Sequence, residues 1–273
     1  MFMKNLLLLF SVVLLLGSCS PYQDLLKNDD IKAKYTAADS LYNQGKYKKS
    51  LRLWEQIVPL YRGRPQAERV MFLYSDTYYQ LQDYYLAGYQ FERFVNAYPQ
   101  SEKRAEAAFK SAESYYKLSP RFNLDQADTF KAMDKLQVFI NSYPESQDLE
   151  RANEMVQELR NKLEKKAFEI AKGYNKIGAS RGTFPNAIAA FDNFLSEYPG
   201  SVYREDAYFW KFDSAYQLAI GSVEFLMKDR LETARETYNV LIKYYPEGKY
   251  NKEATSMIED VNERLTQFTN LNE

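Results

Sequence analysis

Residues 84–99, YYLAGYQFERFVNAYP, contain the pattern that decides the fold of this chain. Ala87, Phe91, Phe94 and Tyr98 are spaced four, three and four residues apart, so they share one face of an α-helix. The alanine leaves room for a second helix to approach closely. The proline after Tyr98 cannot continue the helix. The segment therefore predicts an amphipathic helix that ends at a Tyr-Pro pair.

The same pattern recurs four more times along the chain. In each copy a small residue is followed, four, seven and eleven positions later, by apolar or aromatic residues. The further copies are Ser50–Tyr61, Ala132–Tyr143, Ala187–Tyr198 and Ala234–Tyr245. A proline follows every closing tyrosine except the first, where Arg62 stands. Such internal repetition indicates a helical repeat protein.

A second helical segment precedes each copy, so each repeat is predicted to be a helical hairpin. A single hairpin cannot bury its apolar face, and neighbours must stack to form one core. Almost no segment alternates with period two, which argues against a sheet. We therefore predict an all-α fold, a superhelix of about five hairpins.

The hairpins resemble tetratricopeptide (TPR) repeats. Gly45, Tyr47, Ser50 and Trp54 match the consensus order of glycine, aromatic, small and aromatic residues. The repeats exceed the roughly 34 residues of the consensus, which predicts insertions, and these are placed at residues 119–128 and 178–185.

Two further features of the sequence predict the length of one helix and the start of others. Between residues 147 and 177 there is no proline and one glycine, so the fourth hairpin is predicted to open with an unusually long helix that joins two halves. A serine two residues after three of the four Tyr-Pro prolines is expected to cap the next helix. These serines are Ser101, Ser146 and Ser201.

The amino-terminal segment predicts export and lipidation. The apolar run from Leu6 to Leu16 is shorter than the roughly 20 residues that a helix needs to cross a bilayer, which favours a signal peptide. Residues 16–19, Leu-Gly-Ser-Cys, resemble the bacterial lipobox, which implies cleavage before Cys19 and attachment of acyl chains such as palmitate to it. Cys19 is the only cysteine, so no disulfide competes for its thiol. The alternative is an ordinary secretory peptide with a stray cysteine.

These features divide the chain into four parts. A signal peptide at 1–18 precedes a lipidated linker at 19–30. TPR-like repeats 1–3 follow at 31–146, and repeats 4–5 with the long connecting helix at 147–268. No acidic run follows Cys19, which favours the periplasmic face of the membrane over the cell surface.

Composition excludes several classes of function. The 36 basic and 37 acidic residues nearly balance, so no nucleic-acid partner is predicted. Histidine is absent, which removes the commonest general base and metal ligand. We predict no catalytic residue, metal or cofactor. One enzyme alternative is a Glu113-Ser114 catalytic pair, as in peptidoglycan-cleaving lipoproteins, but no glycine-rich segment follows it before Gly173.

The lipobox and the five repeats together resemble the BamD family, the lipoprotein subunit of the outer-membrane β-barrel assembly (BAM) machinery. The more specific matches are Arg93-Phe94-Val95, Asp125-Gln126 and Glu169-Ile170-Ala171, and the departures are Arg62 and the segment 180–184. The resemblance implies a non-catalytic scaffold, anchored by lipid at the periplasmic face of the outer membrane. The alternative is another periplasmic TPR lipoprotein, an adaptor for cell-wall synthesis or proteases.

The resemblance also implies two partners. One is a BamA-like barrel subunit, bound through its periplasmic domains, and the other is the set of unfolded outer-membrane proteins. Repeats three to five are expected to hold the barrel subunit, including the inserted residues Ser180, Arg181, Thr183 and Phe184.

Alignment of the first helices of the hairpins predicts a binding groove. In every repeat except the fourth, an aromatic residue is followed by an acid four positions later and a tyrosine three positions after that, on one face. In repeats 1–3 these are Tyr35, Asp39, Tyr42, Phe72, Asp76, Tyr79, Phe109, Glu113 and Tyr116. The acids and tyrosines are expected to be exposed, and the aromatic column is either exposed or core. The groove suits an extended apolar peptide, and its acids disfavour a clamp for a terminal carboxylate.

Overall fold

A computed structural model describes residues 21–270, so Cys19 and the predicted signal peptide lie outside the described residues. Within that range there are 13 α-helices and one 3₁₀ helix, and no strand. The α-helices are α1 Pro21–Lys27, α2 Ile31–Asn43, α3 Tyr47–Ile57, α4 Ala67–Gln80, α5 Tyr84–Ala97, α6 Arg104–Leu118, α7 Ala127–Ser142, α8 Leu149–Lys176, α9 Gly178–Arg181, α10 Phe184–Glu197, α11 Arg204–Ile220, α12 Glu224–Tyr244 and α13 Asn251–Asn270. The predicted all-α fold is confirmed.

The helices pair as the repeat pattern predicts. Hairpins 1 to 5 are formed by α2 with α3, α4 with α5, α6 with α7, α8 with α10, and α11 with α12. The small residue of each second helix is completely buried, as expected where two helices touch. These residues are Ser50, Ala87, Ala132, Ala187 and Ala234.

The chain divides into two compact units. The first comprises the described residues up to Pro120 together with Gln126–Gln157, and the second comprises Arg121–Asp125 with the residues from Glu158 onward. In the first unit, one core cluster joins apolar residues of α4, α5 and α6, among them Met71, Phe91 and Ala107. In the second, a cluster joins α11, α12 and α13. Hairpins therefore stack on one another within each unit.

The connections follow the predicted insertions. The fourth hairpin opens with α8, whose 28 residues confirm the predicted long helix. The third hairpin has a loop between Leu118 and Ala127, and the fourth contains the short helix α9. The repeat pattern did not predict α13, which carries no Tyr-Pro pair and covers the last hairpin with Ile258, Val261 and Leu265.

The prediction that serines cap the following helices is wrong in its geometry. Ser101 Oγ accepts a hydrogen bond from Lys103 N at 3.0 Å, but α6 begins only at Arg104 and its N-cap, Lys103, makes no side-chain cap. Ser101 Oγ donates instead to Glu68 at 2.6 Å. The serine thus shapes the turn and connects it to the first helix of the preceding hairpin.

None of the helices in residues 21–270 combines the length and apolar character needed to span a bilayer.

Candidate functional site

The aromatic column of the predicted groove belongs largely to the core. The Phe109 side chain is 3% exposed and its ring centroid lies 5.3 Å from that of Phe139. Phe72 is half-buried against Phe91 and Phe94. The half-buried Tyr35 contacts the rings of Trp54 and Tyr61. Of the two alternatives for this column, the structure supports the core.

The acids of the second column were expected to be exposed, but the structure buries two of the three. Asp76 is 1% exposed and Glu113 3%, and only Asp39 retains a partly exposed side chain, at 26%. The expectation was wrong because it assumed that these acids have no partners. Carboxylates are buried in proteins when a cation or several donors compensate for the lost hydration.

Each acid is paired with a cation from the first helix of the following hairpin. Arg69 on α4 bonds to Asp39 at 2.7 Å. Lys110 on α6 forms a salt bridge with Asp76, and Arg151 on α8 forms one with Glu113. Sequence reasoning missed these cations.

The tyrosines of the third column donate to the same acids. The Tyr42 hydroxyl bonds to Asp76, and the Tyr79 hydroxyl bonds to Glu113. Burial raises the pKa of both phenols, and the hydrogen bond to the acid raises it further. Both tyrosines therefore stay protonated and act as donors at any physiological pH.

A tyrosine of one hairpin, an acid of the next and a cation of the hairpin after that together form one rung. We call the two rungs Tyr42–Asp76–Lys110 and Tyr79–Glu113–Arg151 the polar ladder. Each buried carboxylate accepts from both sides, so each rung connects three successive first helices and the two rungs together connect four. Tyr116, the last tyrosine of the column, is half-buried and lies with the Lys117 ammonium 5.8 Å from its ring centroid.

At the surface of the predicted groove, the side chains of the cations are more exposed than those of the acids with which they pair. The side chains of Arg69, Arg151 and Lys103 are 58%, 54% and 57% exposed. A cleft lies where Arg69 and Lys103 flank the half-buried Phe72 ring, and Pro65, Glu68 and Leu73 complete its lining. The Lys103 ammonium is 5.4 Å from the ring centroid of Phe72. This cleft presents an aromatic face beside two cations, each of which is also paired with an acid: Arg69 with Asp39, and Lys103 with Glu106 at 2.8 Å.

The second unit repeats the arrangement less completely. Asn175 on α8 donates to Asp213 on α11 at 2.6 Å. Tyr216 on α11 donates to Asp260 on α13 at 3.0 Å, and Arg264 bonds to the same carboxylate at 2.8 Å.

The predicted partner-binding segment divides into two parts. Thr183 and Phe184 are half-buried: Thr183 Oγ1 donates to the carbonyl of Tyr174 at 2.7 Å, and the Phe184 ring packs on Gly178. Ser180 and Arg181 are exposed. Gly182 adopts φ 67°, a left-handed conformation that favours glycine. The first pair thus holds the segment in place, and the second pair is available for contact.

An apolar stripe next to this segment was missed by sequence reasoning. Ile170, Tyr174 and Ile177 are 48%, 37% and 44% exposed. Ile170 and Tyr174, four residues apart, lie on one face of α8, roughly opposite the buried Phe168, and Ile177 follows directly after the end of the helix. The sequence contained a signal for this stripe, because its apolar residues recur at helical spacing on a face of α8 different from the face that forms the core.

The alternative of a catalytic Glu113-Ser114 pair does not fit the geometry. The Glu113 carboxylate is bound to Arg151, and Ser114 Oγ donates to the carbonyl of Lys110 at 2.6 Å. Glu113 is 3% exposed and Ser114 0%, so no polymer chain can reach either side chain.

Comparison of the sequence with protein families gives a match over most of its length. A family model described as YfiO, outer membrane lipoprotein, matches residues 27–181 and 179–269. A relative from Aquifex aeolicus (strain VF5), a candidate outer membrane protein assembly factor BamD, is 26% identical over 208 residues. That match covers 73% of this chain and 64% of the relative, so the chain spans less than two thirds of the relative's length.

Solved structures give more distant similarities. The TPR2AB domain of yeast Sti1 in complex with pHSP90 is 12% identical with a TM-score of 0.38, covering 85% of this chain and 98% of that chain. TPR-like repeats of a candidate kinesin light chain from Podosopora anserina are 12% identical with a TM-score of 0.32, covering 88% and 96%. Similarities at this level bear neither on function nor on detailed geometry.

Proposed function

The chain belongs to the YfiO family of outer membrane lipoproteins, and we propose that it is a non-catalytic scaffold of the machinery that assembles outer-membrane β-barrel proteins. The match to the family over residues 27–181 and 179–269 carries the proposal. In this proposal Cys19 bears the lipid and holds the chain at the periplasmic face of the outer membrane. The chain then supplies binding surfaces for two kinds of protein partner.

The first partner is an unfolded outer-membrane protein, bound as an extended peptide by hairpins 1 to 3. The Phe72 ring in the cleft offers a contact for an apolar or aromatic side chain, and aromatic contacts often dominate binding energy. Arg69 and Lys103 beside it keep N–H donors beyond those that bind Asp39 and Glu106, and these donors favour the terminal carboxylate of such a peptide. This reverses the expectation that acids exclude a carboxylate, because Asp39 is paired and Asp76 and Glu113 are buried.

The second partner is a BamA-like barrel subunit, bound by its periplasmic domains. The stripe Ile170, Tyr174 and Ile177 offers apolar contact area, and Ser180 and Arg181 offer polar contacts beside it. An apolar centre with a polar rim is the usual composition of a protein interface.

A pull-down of the lipidated protein from native membranes tests the second partner. We expect the wild type to recover a large β-barrel protein with repeated periplasmic domains. The variant Tyr174→Ala/Ile177→Ala should lose most of it, because both side chains are exposed and their removal leaves the core intact. Lys228→Ala/Arg235→Ala, two exposed residues of α12, serves as the control. Equal recovery by both variants contradicts the assigned surface, and recovery of no barrel protein by the wild type contradicts the function.

Titration of a labelled C-terminal barrel peptide tests the first partner. Lys103→Ala should weaken binding by about tenfold, because a hydrogen bond to a charged group is lost, whereas Lys117→Ala on the same helix should not. Tyrosines of the ladder are unsuitable for this test. Tyr79→Ala would remove one of the two donors of the buried Glu113 and leave only Arg151, so lost binding could reflect lost folding. Unchanged affinity in Lys103→Ala would contradict the placement of the carboxylate.

A further inference from the structure

The first described helix is fixed to hairpin 1. The Tyr22 hydroxyl donates to the carbonyl of Lys49 at 2.9 Å, and the Lys49 ammonium lies 5.4 Å from the Tyr22 ring centroid. Further along α1, the carbonyl of Leu26 accepts from Gln56 Nε2 at 3.4 Å, and Leu25 and Leu26 pack on the core of hairpin 1. Since Tyr22 meets Lys49 and Leu26 meets Gln56, α1 runs in the same direction as α3.

This direction decides which end of the hairpin lies next to the anchor. The beginning of α1 lies at the end of hairpin 1 that carries the turn between α2 and α3. Cys19 precedes Pro21 by two residues, which extend over at most roughly 7 Å. If Cys19 is acylated, as the proposed function requires, the turn end of hairpin 1 is held close to the membrane surface.

The turn end of hairpin 1 is also strongly cationic. The segment Lys46–Arg52 contains four basic residues, all exposed, and no acid. These residues are Lys46, Lys48, Lys49 and Arg52. The acid nearest to them on α1 is Asp24. The opposite end of the hairpin, where α1 gives way to α2, carries charges of both signs: Lys27, Asp29, Asp30 and Lys32.

We propose that Lys46, Lys48, Lys49 and Arg52 form a second membrane contact, which binds anionic phospholipid headgroups beside the lipid anchor. Acyl chains hold a protein at a bilayer but leave it free to rotate about the point of attachment. Basic residues close to an anionic surface each increase affinity by roughly fivefold. Four of them at the anchored end therefore fix the orientation of hairpin 1 on the membrane, and high salt weakens the contact.

Fluorescence quenching by a nitroxide-labelled headgroup lipid measures this contact on the lipidated protein. Because Cys19 is the only native cysteine and its thiol is acylated, a single introduced cysteine takes the fluorophore. Asn43→Cys reports the turn end, and Gln66→Cys reports the opposite end of hairpin 1, about 16 Å away along α3. In vesicles of phosphatidylcholine with one quarter phosphatidylglycerol, we expect at least twofold more quenching at position 43 than at position 66. In phosphatidylcholine alone this difference should become smaller, because only the lipid anchor then keeps the turn end near the bilayer.

Charge reversal distinguishes headgroup binding from simple proximity. Lys48→Glu/Arg52→Glu, in the Asn43→Cys background, should lose the phosphatidylglycerol-dependent quenching, and circular dichroism should show the helices intact. Lys228→Glu/Arg235→Glu changes the charge equally and should keep it. Quenching that is equal in both lipids, or unchanged by the reversal at 48 and 52, overturns the contact while leaving the anchor intact. Protein that does not stay with either kind of vesicle overturns the anchor and the contact with it.

Discussion

The two units use similar polar contacts between helices but bury them differently. In the first unit the acids of the polar ladder are almost completely buried, with Asp76 1% and Glu113 3% exposed. In the second unit Tyr216 and Arg264 bind Asp260 in a similar way, but Arg264 lies on the same helix as Asp260, and the Asp260 side chain is 33% exposed. A buried carboxylate that loses its cation is strongly destabilising, whereas an exposed ion pair contributes little. The same pattern is therefore a structural requirement in one unit and a minor contribution in the other.

The largest expected effect is on the first unit. Lys110→Met removes the cation from Asp76 and leaves only Tyr42 and Gln80 as donors. We expect a loss of about 3 kcal/mol in unfolding free energy, measured by urea unfolding and by hydrogen exchange in α4 and α6. Lys117→Met, an exposed site on the same helix, should change stability by less than about 0.5 kcal/mol. Equal effects of the two substitutions would contradict the importance of the buried rung.

Substitutions at two glycines of the second unit test how strongly tight apolar packing contributes to its stability. A Cβ atom at Gly178 would lie 2.2 Å from the Phe184 ring. Gly178→Ala should therefore cost about 2 kcal/mol through overpacking. Gly173→Ala, where a Cβ meets nothing within 4 Å, should stabilise the helix by about 0.5 kcal/mol. Thermal unfolding of both variants measures the difference, and destabilisation by both would argue against the Phe184 contact as its cause.

Paired tyrosine substitutions compare the units directly. Tyr79→Phe removes a donor from the buried Glu113 and should cost about 1.5 kcal/mol. Tyr216→Phe removes the equivalent donor from the partly exposed Asp260, where water replaces it, and should cost about 0.5 kcal/mol or less. Urea unfolding gives both values. A larger effect at Tyr216 would mean that burial does not explain the difference between the units.

The smallest expected effect is the pH dependence at Asp260. The Arg264 guanidinium lowers the pKa of Asp260, burial opposes this shift, and the Tyr216 hydroxyl adds to it. A lowered folded-state pKa gives stability above the unfolded value of about 3.9, which is lost as the pH falls through the folded value. Asp260→Asn should therefore be less stable at pH 7 by about 0.5 kcal/mol at most. The melting temperatures of variant and wild type should approach each other as the pH falls below about 3.9, and a gap that does not narrow there would contradict this assignment.

The helices and their order were predictable because each second helix has a regular apolar face and usually a closing Tyr-Pro pair. The prediction of such a helix depends only on residue spacing within it, which the sequence shows directly, as for Ala87, Phe91, Phe94 and Tyr98. The last helix, α13, carries no such pair, so the same reasoning passed over it.

The site was less predictable because its contacts lie between helices. Arg69 meets Asp39 from 30 residues away, and Arg151 meets Glu113 from 38. This offset varies with the length of each repeat, so no fixed spacing identifies the cation. Without the cation, an acid on the groove face is naturally taken for an exposed one, as Asp76 and Glu113 were.

The residues that contact each other in the polar ladder are close in sequence, and this affects how the chain folds during synthesis. The contacts of the ladder, together with the similar contacts Arg69–Asp39 and Tyr216–Asp260, join residues 30 to 44 positions apart on successive helical layers. A polypeptide that emerges amino-terminus first can complete each contact as soon as the next hairpin appears, without waiting for its distant end. Local connectivity of this kind favours rapid folding and shortens the time for which apolar faces stay uncovered. The newest hairpin, still lacking its successor, is the part of a growing chain most in need of a chaperone.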